Sequence, residues 1–201
     1  MALEDIYQPH NASAVLRTCD CFGLQEVHII ENRNRYEVNA DVALGAAKWL
    51  DLIRYRGKEN NTPDCLNALK AAGYRIVATS PHAGGYTPET LPLDRKVALL
   101  FGTELEGLTS GALEMADDTI LIPMCGFTES LNISVSAAIL IHTLTQRLRN
   151  PANAPHLPIA SCRLPTTDWR LPTEDSDRLL LHWLMGSIKG AEGILRRMTS
   201  D

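Results

Sequence analysis

The sequence predicts an α/β domain with a mostly parallel sheet flanked by helices, and three observations support this fold class. Three dense apolar runs, at residues 75–80, 96–102 and 119–124, end at or beside Gly or Pro. Such continuous runs are typical of strands buried on both faces of a parallel sheet. Segments with helical periodicity alternate with these runs. Aromatic residues make up only 5% of the 201 residues, which suits a core of packed aliphatic layers.

The elements before residue 75 follow the same alternation. In chain order they are a helix at 11–23, a strand at 25–31, a short helix at 39–50, a short strand at 51–56 and a helix at 62–73. Asn11 and Thr62 are the predicted N-caps of the two longer helices, because their side-chain oxygens can accept from free backbone N–H groups. Gly23 and Gly73 are the predicted stops of the same helices.

Beyond residue 75 the pattern predicts a helix at 108–116 and a long helix at 133–149. Ser130 or Asn132 is expected to cap the long helix, and the small residues that follow should let it approach neighbouring backbone closely. Prolines are concentrated between residues 151 and 175, which predicts an irregular connector, and a helical segment is predicted at 176–198. The chain is therefore divided into a domain at 1–150 and a connector with a C-terminal helical segment at 151–201.

Composition excludes several classes of protein. A formal net charge of −5 argues against non-specific nucleic-acid binding through bulk charge, although a local basic patch remains compatible with it. The five cysteines contain no C-x-x-C pair and no metal-ligand spacing with histidine. We therefore expect no metal, a reducing cytoplasmic location, and thiols used as small apolar residues. No secretory signal is expected, because the first ten residues, MALEDIYQPH, contain no apolar h-region. No membrane span is expected either, since no apolar run reaches roughly 18 residues.

Three loops follow the apolar strands, at 78–85, 101–108 and 122–132, and each contains Gly or other small residues. Ligands of α/β proteins bind at the carboxyl ends of strands. Each loop alone is explained by ordinary turn and cap chemistry, but three in succession favour a shared pocket. The common phosphate and dinucleotide glycine loops and G-x-S-x-G are missing, so neither a P-loop enzyme nor a standard hydrolase is favoured.

Two charged residues stand out beside these loops. Arg17 shares the polar face of the first helix with Ser13, Asp20 and Cys21. Glu104 directly follows a buried strand and Gly102. Each also has a simple structural explanation, since a helix arginine is usually solvated or ion-paired and a carboxylate stabilises the start of the next helix. Spacing alone leaves both explanations open.

Three segments of the chain resemble, in order and with matching spacing, the motifs of the SpoU-type RNA 2′-O-ribose methyltransferases of the SPOUT superfamily. They are "NASAVLRTCDCFG", "LLFGTELEGL" and "IPMCGFTESLNISVSAA", and the resemblance covers about residues 8–149. It implies an α/β domain with a deep C-terminal trefoil knot. It also implies S-adenosyl-L-methionine as cofactor, RNA as substrate, and a homodimer whose active site is completed across the interface.

The resemblance also implies roles for individual residues. The positions that match the family's cofactor contacts are Thr79, Gly102, Ile122, Met124 and Leu131. The positions that match its catalytic or substrate-positioning residues are Asn11, Arg17, Glu104, Ser130 and Asn132. Because arginine keeps its proton up to a pKa above about 12, we expect Arg17 to contact an RNA phosphate and the ribose, with the phosphate or Ser130 relaying the proton. Asn11 would orient Arg17, and Glu104 and Asn132 would order the loops.

The branch of the family that the chain most resembles methylates guanosine 18 of tRNA. The alternatives are an rRNA 2′-O-methyltransferase and a non-catalytic RNA- or cofactor-binding protein, and the intact set of catalytic positions argues against the second. Members of the tRNA branch usually carry a basic extension before the first motif, whereas here Glu4 and Asp5 precede Asn11. Either other elements bind the tRNA or the sequence begins after such an extension. The candidate tRNA-binding cations elsewhere are Arg33, Arg35, Arg54, Arg56, Lys58, Lys189, Arg196 and Arg197.

Overall fold

A parallel sheet forms the centre of the protein. The computed structural model describes residues 1–43, 45–82, 84–149, 173–187 and 191. Within these residues the sheet has six strands, which are β1 (Ala2–Glu4), β2 (Glu26–Ile30), β3 (Asp51–Tyr55), β4 (Arg75–Thr79), β5 (Val97–Phe101) and β6 (Asp118–Ile120). Their order across the sheet is β3-β2-β1-β5-β4-β6, and every pair of neighbours is parallel. The predicted fold class is thus confirmed at the level of an α/β domain with a parallel sheet.

Helices cover both faces of this sheet. They are α1 (Pro9–Phe22), α2 (Ala40–Ala43), α3 (Thr62–Ala71), α4 (Ser110–Met115), α5 (Ile133–Arg149) and α6 (Thr173–Ser187), with a 3-10 turn at Ala46–Lys48. One core cluster joins α1 and α5 to the sheet and a second joins α3 and α4 to it. Neighbouring residues of one strand divide between the clusters, with Leu99 in the first and Leu100 in the second. This is the period of two expected of a strand buried on both faces.

Several predicted boundaries are confirmed. The helix α5 spans the predicted residues 133–149, and the predicted stops Gly23 and Gly73 adopt left-handed conformations with φ values of 76° and 82°. The helix predicted at 39–50 is instead divided into α2 and the 3-10 turn, around Gly45 with φ 84°. The strand predicted at 119–124 is shorter, because β6 ends at Ile120. The predicted connector at 151–175 and the end of the C-terminal segment fall mainly outside the described residues.

Both predicted N-caps were wrong. The N-cap of α1 is Gln8, with φ −81° and ψ 111°, and Pro9 takes the first helical position, where a missing N–H costs nothing. Asn11 therefore lies inside the first turn and its side chain is free for other contacts. The N-cap of α3 is Asn61, and the hydroxyl of Thr62 donates to the carboxylate of Glu4 instead.

The cysteines are only partly the small apolar residues that were predicted. Cys19 and Cys65 are buried, and burial raises the thiol pKa of Cys19 to about 11 and that of Cys65 to about 12. Cys21 and Cys125 are exposed. Among the residues that the structure describes, none of the helices combines the length and apolar character that crossing a membrane requires.

The strand β1 was missed by the sequence analysis, although it lies at the middle of the sheet. Leu3 pairs with Ile29 of β2 on one side and with Phe101 of β5 on the other. A strand of three residues is too short for an alternation pattern to be recognised. Its position brings the two residues that follow its apolar part, Glu4 and Asp5, to the carboxyl edge of the sheet.

Glu4 and Asp5 are buried carboxylates, with exposed fractions of 1% and 2%. Glu4 accepts from the hydroxyl of Thr62 at 2.6 Å and from both the backbone N–H and the hydroxyl of Thr109 at 2.9 Å. Asp5 Oδ1 accepts from the three successive backbone N–H groups of residues 32–34, at 2.8, 2.9 and 3.2 Å. The end of β1 is thereby bonded to the loop after β2, the start of α3 and the loop after β5.

We expect Glu4→Gln to lower the free energy of unfolding by about 2 kcal/mol, because the amide nitrogen would face donors and leave buried groups unpaired. Urea unfolding followed by circular dichroism measures this change. Glu114→Gln on α4 is the matched control, since Glu114 is exposed and an exposed substitution is expected to change stability by less than about 0.5 kcal/mol. Equal stabilities of the two variants would contradict the role assigned to Glu4.

Candidate active site

A cavity of about 520 Å³ lies at the carboxyl ends of β4, β5 and β6. The five positions predicted to contact the cofactor all line it, and these are Thr79, Gly102, Ile122, Met124 and Leu131. Glu104 and Ser130 line the same cavity. The structure therefore brings these seven residues together, and the three loops that follow successive strands form one pocket. Their individual roles in binding or catalysis remain predictions.

The loop after β5 bends back tightly on itself. Thr103 and Gly107 exchange two backbone hydrogen bonds, of 3.0 and 3.1 Å. A Cβ atom on Gly102 would overlap the backbone of Gly107 and Leu108, so this approach requires glycine. Gly107 itself has φ 71°, a conformation that favours glycine as well. The wall of the cavity formed by residues 102–108 therefore depends on backbone shape.

A chain of hydrogen bonds joins the three motif segments. Asn11 Nδ2 donates to Glu104 Oε1 at 2.5 Å and to Gln8 Oε1 at 2.6 Å. Asn132 Nδ2 in turn donates to Asn11 Oδ1 at 3.1 Å. Asn11 is buried, so its amide links α1 to the loop after β5 and to the start of α5. Three of the five predicted catalytic positions are thus in direct contact.

The side-chain oxygens of Glu104 and Asn132 that take no part in this chain of hydrogen bonds differ in their surroundings. Glu104 Oε2 is buried and has no hydrogen-bond partner among the described residues. Asn132 Oδ1 accepts from the backbone N–H of Ser134 at 2.9 Å and from its hydroxyl at 2.6 Å. The prediction that Ser130 or Asn132 caps α5 is therefore confirmed for Asn132. Ser130 is exposed to the cavity, and its hydroxyl has no partner within the described part of the chain.

Arg17 stands apart from this network. It is exposed on α1, does not line the cavity, and forms no hydrogen bond or ion pair with other described residues. It lies six positions after Asn11, which corresponds to about 9 Å along the helix axis. The expected contact in which Asn11 orients Arg17 is absent, because Asn11 is bonded to Gln8, Glu104 and Asn132. Ser13, placed on the polar face with Arg17, is buried and accepts from the N–H of Asn39 at 2.7 Å.

Residues that the sequence analysis did not single out also shape the site. Leu105 and Phe127 have exposed fractions of 85% and 107%, and both lie on loops that border the cavity. Glu106 lines the cavity and forms an ion pair of 2.6 Å with Arg33. The sequence did contain a signal for Leu105, because an apolar residue between two glutamates in a loop is expected to be exposed. In the described part of the chain, no three His, Cys, Asp or Glu side chains lie close enough together to hold a metal ion.

Comparison with known proteins identifies the family. The family model described as the SpoU rRNA Methylase family matches residues 1–142. The chain belongs to this family. The match includes all three motif segments and covers all the residues that line the cavity. The resemblance inferred from the motifs is therefore confirmed.

Individual SpoU relatives extend the likeness. A tRNA (guanosine(18)-2′-O)-methyltransferase of Borreliella burgdorferi is 46% identical over 147 residues, which are 73% of this chain and 66% of the relative. The matched part thus spans slightly less than two thirds of that relative's length. The crystal structure of the A. aeolicus TrmH/SpoU tRNA modifying enzyme has a TM-score of 0.74 at 23% identity, covering 94% of this chain and 88% of that one.

A third SpoU comparison is the methyltransferase AviRb from Streptomyces viridochromogenes, whose structure contains the cofactor AdoMet. It has a TM-score of 0.60 at 21% identity and covers 73% of this chain and 58% of that one. At these identities the two solved structures establish that the fold is shared.

We expect Gly102→Ala to disturb this SpoU cavity, because the added methyl group would force residues 102–108 apart. Urea unfolding should show a loss of at least about 1 kcal/mol, and hydrogen exchange should increase at the amides of residues 103 and 107. The matched control is Gly111→Ala on α4, where a Cβ meets open space. That helix substitution should stabilise the protein by up to about 1 kcal/mol. If both variants behaved alike, the close approach at Gly102 would not be a constraint.

Proposed function

We propose that this protein transfers a methyl group from S-adenosylmethionine to the 2′-hydroxyl of a ribose in RNA, and that its target is guanosine 18 of tRNA. The observation that carries the proposal is that the second and third motif segments line one cavity, while Asn11 of the first segment is hydrogen-bonded to Glu104 and Asn132 of those two segments. The Borreliella burgdorferi relative, named for the guanosine 18 reaction, supports the choice of tRNA. The protein would meet this substrate in the cytoplasm.

The cavity fits S-adenosylmethionine in size and chemistry. Its volume of about 520 Å³ lies within the range of small-molecule sites. Ile122, Met124 and Leu131 offer apolar contacts for a flat ring, while the loop at 102–107 offers backbone groups at close range. When bound, the cofactor supplies a methyl group already activated on a sulfonium, so that a metal is not required. The AdoMet complex of AviRb supports the same choice of cofactor.

The residues of this chain then position the ribose and handle its proton. A 2′-hydroxyl becomes a useful nucleophile only when its proton leaves, so the site needs orientation and a proton acceptor. Ser130 lies at the cavity, its hydroxyl is unbonded by any described residue, and it can bond the ribose. Arg17 keeps its own proton, so it would hold the phosphate next to the ribose, and that phosphate or Ser130 relays the proton. Asn11, Glu104 and Asn132 hold the loops in place.

A second candidate substrate is rRNA. The family model is described by rRNA methylation, and the chemistry at the ribose would be the same. A non-catalytic RNA- or cofactor-binding protein is disfavoured, because all five predicted catalytic positions carry the family's residues. The two substrates differ in what surrounds the target nucleotide and not in the reaction itself.

The proposal includes a homodimer. Leu131, Val135 and Ile139 have exposed fractions of 37%, 44% and 36% and follow one another at intervals of four residues. On α5 this spacing places Val135 and Ile139 on one face, opposite the core residues Ala137 and Leu140. A second copy packed on this stripe would cover apolar surface next to the cavity and bring its own residues to the site.

The proposal also includes the deep trefoil knot implied by family membership, with the chain after β6 threaded through the loops that form the cavity. It further includes the division into a methyltransferase domain at 1–150 and a separate C-terminal segment at 151–201. The A. aeolicus enzyme supports the family fold. An experimentally determined structure of the intact protein tests the dimer, the knot and the domain division together, and an unthreaded chain would rule the knot out.

We expect methyl transfer from labelled S-adenosylmethionine to unmodified tRNA, with the label at guanosine 18 after nuclease mapping. Separate pools of tRNA and rRNA are incubated with the protein under the same conditions. Labelling of neither pool would contradict the enzyme assignment. Labelling of rRNA alone would contradict the tRNA assignment and support the second candidate.

Arg17→Lys is expected to lower kcat/KM for tRNA by roughly tenfold or more, because a guanidinium fork can bond two oxygens at once and an ammonium group cannot. Equilibrium binding of S-adenosylmethionine should stay unchanged, since Arg17 does not line the cavity. Near wild-type turnover of the lysine variant would show that a simple positive charge suffices at this position.

A further inference from the structure

We propose that three exposed arginines, Arg33, Arg35 and Arg56, bind backbone phosphates of the RNA substrate and lead it away from the cavity. This set is called the basic track below. It rests on the proposed function only in taking RNA as the ligand. Arg33 and Arg35 follow β2, and Arg56 follows β3. Because all the strands are parallel, these residues lie at the same carboxyl edge of the sheet as the cavity.

An ion pair connects the basic track to the cavity. Arg33 Nη2 lies 2.6 Å from Oε2 of Glu106, and Glu106 lines the cavity. The loop after β2 therefore reaches over the end of β1 to the loop after β5. Beyond Arg33 the track continues toward β3, which lies at the far edge of the sheet from the cavity. An RNA strand whose target ribose is in the cavity would leave it along this path.

The loop that carries Arg33 and Arg35 is fixed through hydrogen bonds of its backbone to Asp5. Asp5 accepts from three successive N–H groups of this loop, and Asn34 Nδ2 returns a bond of 3.1 Å to the carbonyl of Asp5. Asp5 has φ 53°, a left-handed conformation that is uncommon outside glycine but that aspartate adopts more readily than most residues. Oδ1 of Asp5 binds the backbone of this loop, while the Arg33 side chain stays exposed with its Nε 3.9 Å from Oδ2 of Asp5.

The other end of the loop is anchored to α1. The hydroxyl of buried Tyr36 donates to the carbonyl of Ala12 at 3.0 Å, and burial raises the pKa of this hydroxyl, so it remains a donor. The N–H of Tyr36 donates to Glu31 Oε1 at 2.8 Å, and Arg54 donates to the same oxygen at 3.1 Å. Arg35 is thereby presented from a loop fixed at both ends, which lowers the entropy lost when it binds a ligand.

The Arg and Lys side chains near the ends of β2 and β3 differ in the hydrogen bonds and ion pairs they already form. Arg54 is bonded to Glu31 and to the carbonyl of Tyr36, and Lys58 forms an ion pair of 2.6 Å with Asp64. Arg35 and Arg56 are exposed and form no ion pair or hydrogen bond within the described residues. Arg33 has two carboxylate partners, since its Nη2 pairs with Glu106 and its Nε lies 3.9 Å from Oδ2 of buried Asp5. The pair with Glu106 has exposed fractions of 60% and 66%, and exposed pairs contribute little stability. A phosphate can therefore replace Glu106 at Arg33.

The chemistry of the basic track favours a phosphate chain as the ligand. Guanidinium groups bond two phosphate oxygens at once, and all three cations of the track are arginines. The protein as a whole has a formal net charge of −5, so bulk charge does not attract RNA and the attraction has to come from local groups such as these. An acidic surface of a second copy is the competing occupant, and oligomeric state distinguishes it from RNA.

The test measures equilibrium binding of unmodified tRNA to the intact protein between 50 and 300 mM KCl, without S-adenosylmethionine. Arg35→Ala and Arg56→Ala should each weaken binding by roughly three- to tenfold near 0.1 M salt and reduce the slope of log K against log salt by about 0.7 to 1. Arg33→Ala should act in the same direction with a smaller effect, since Glu106 competes for this side chain. Circular dichroism checks that each variant is folded.

Arg95→Ala is the matched control. Arg95 is exposed and precedes β5, so it lies at the opposite edge of the sheet, and its removal changes the net charge equally. We expect its affinity and salt slope to equal those of the wild type. Equal effects of Arg95→Ala and Arg35→Ala would overturn the basic track, because bulk charge would explain both. Unchanged slopes in Arg35→Ala and Arg56→Ala would overturn it as well.

The remaining outcomes separate this inference from the proposed function. A change of oligomeric state in Arg35→Ala, measured by sedimentation, would assign the surface to a second copy and overturn the basic track. RNA binding with the expected slopes but no methyl transfer would support the track and overturn the proposed function. Methyl transfer by the wild type, together with unchanged salt slopes in Arg35→Ala and Arg56→Ala, would support the proposed function and overturn the basic track. Absence of RNA binding by the wild-type protein would overturn both.

Discussion

Two consecutive buried carboxylates at the end of β1 determine how the carboxyl edge of the sheet is built. Glu4 is bonded to Thr62 and Thr109, and Asp5 is bonded to the backbone of residues 32–34. Burial makes each of these acceptors costly to leave unpaired, so the loops that satisfy them have little freedom. Glu4 fixes the cavity wall at 102–108 through its bonds to Thr109, which directly follows it. Asp5 fixes the loop that carries Arg33 and Arg35. One short strand thereby sets the relative positions of both surfaces.

Backbone and side chains contribute differently to the candidate site. Gly102 and Gly107 shape the cavity wall through close approach and a left-handed turn, whereas Asn11 connects the separate segments through its amide. Small residues support this arrangement, since Ala12 of α1 and Ala137 of α5 are both fully buried in the core where these helices pack together. An amide suits the central position because it donates and accepts at once.

Sequence reasoning succeeded where a local pattern and the tertiary structure agree. The apolar strands, the span of α5 and the set of cavity residues follow from periodicity and from long motifs. It failed where a long-range contact overrode a local preference. Asn11 has the residue type of an N-cap, yet its amide bonds Glu104, which is 93 positions away. The strand β1 exists because β2 and β5 pair with it, and three residues carry no pattern that reveals this.

The position of β1 also has a consequence for synthesis of the protein. Leu3 pairs with Phe101, so a strand at the start of the chain must wait for a partner almost a hundred residues later. At about 5–20 residues per second, the ribosome delivers that partner roughly 5 to 20 seconds after β1 emerges. During this interval β1 can pair only with β2, and its other edge exposes unpaired amides that invite association between nascent chains. Translation speed between residues 30 and 100 therefore bears directly on how much protein reaches the native state.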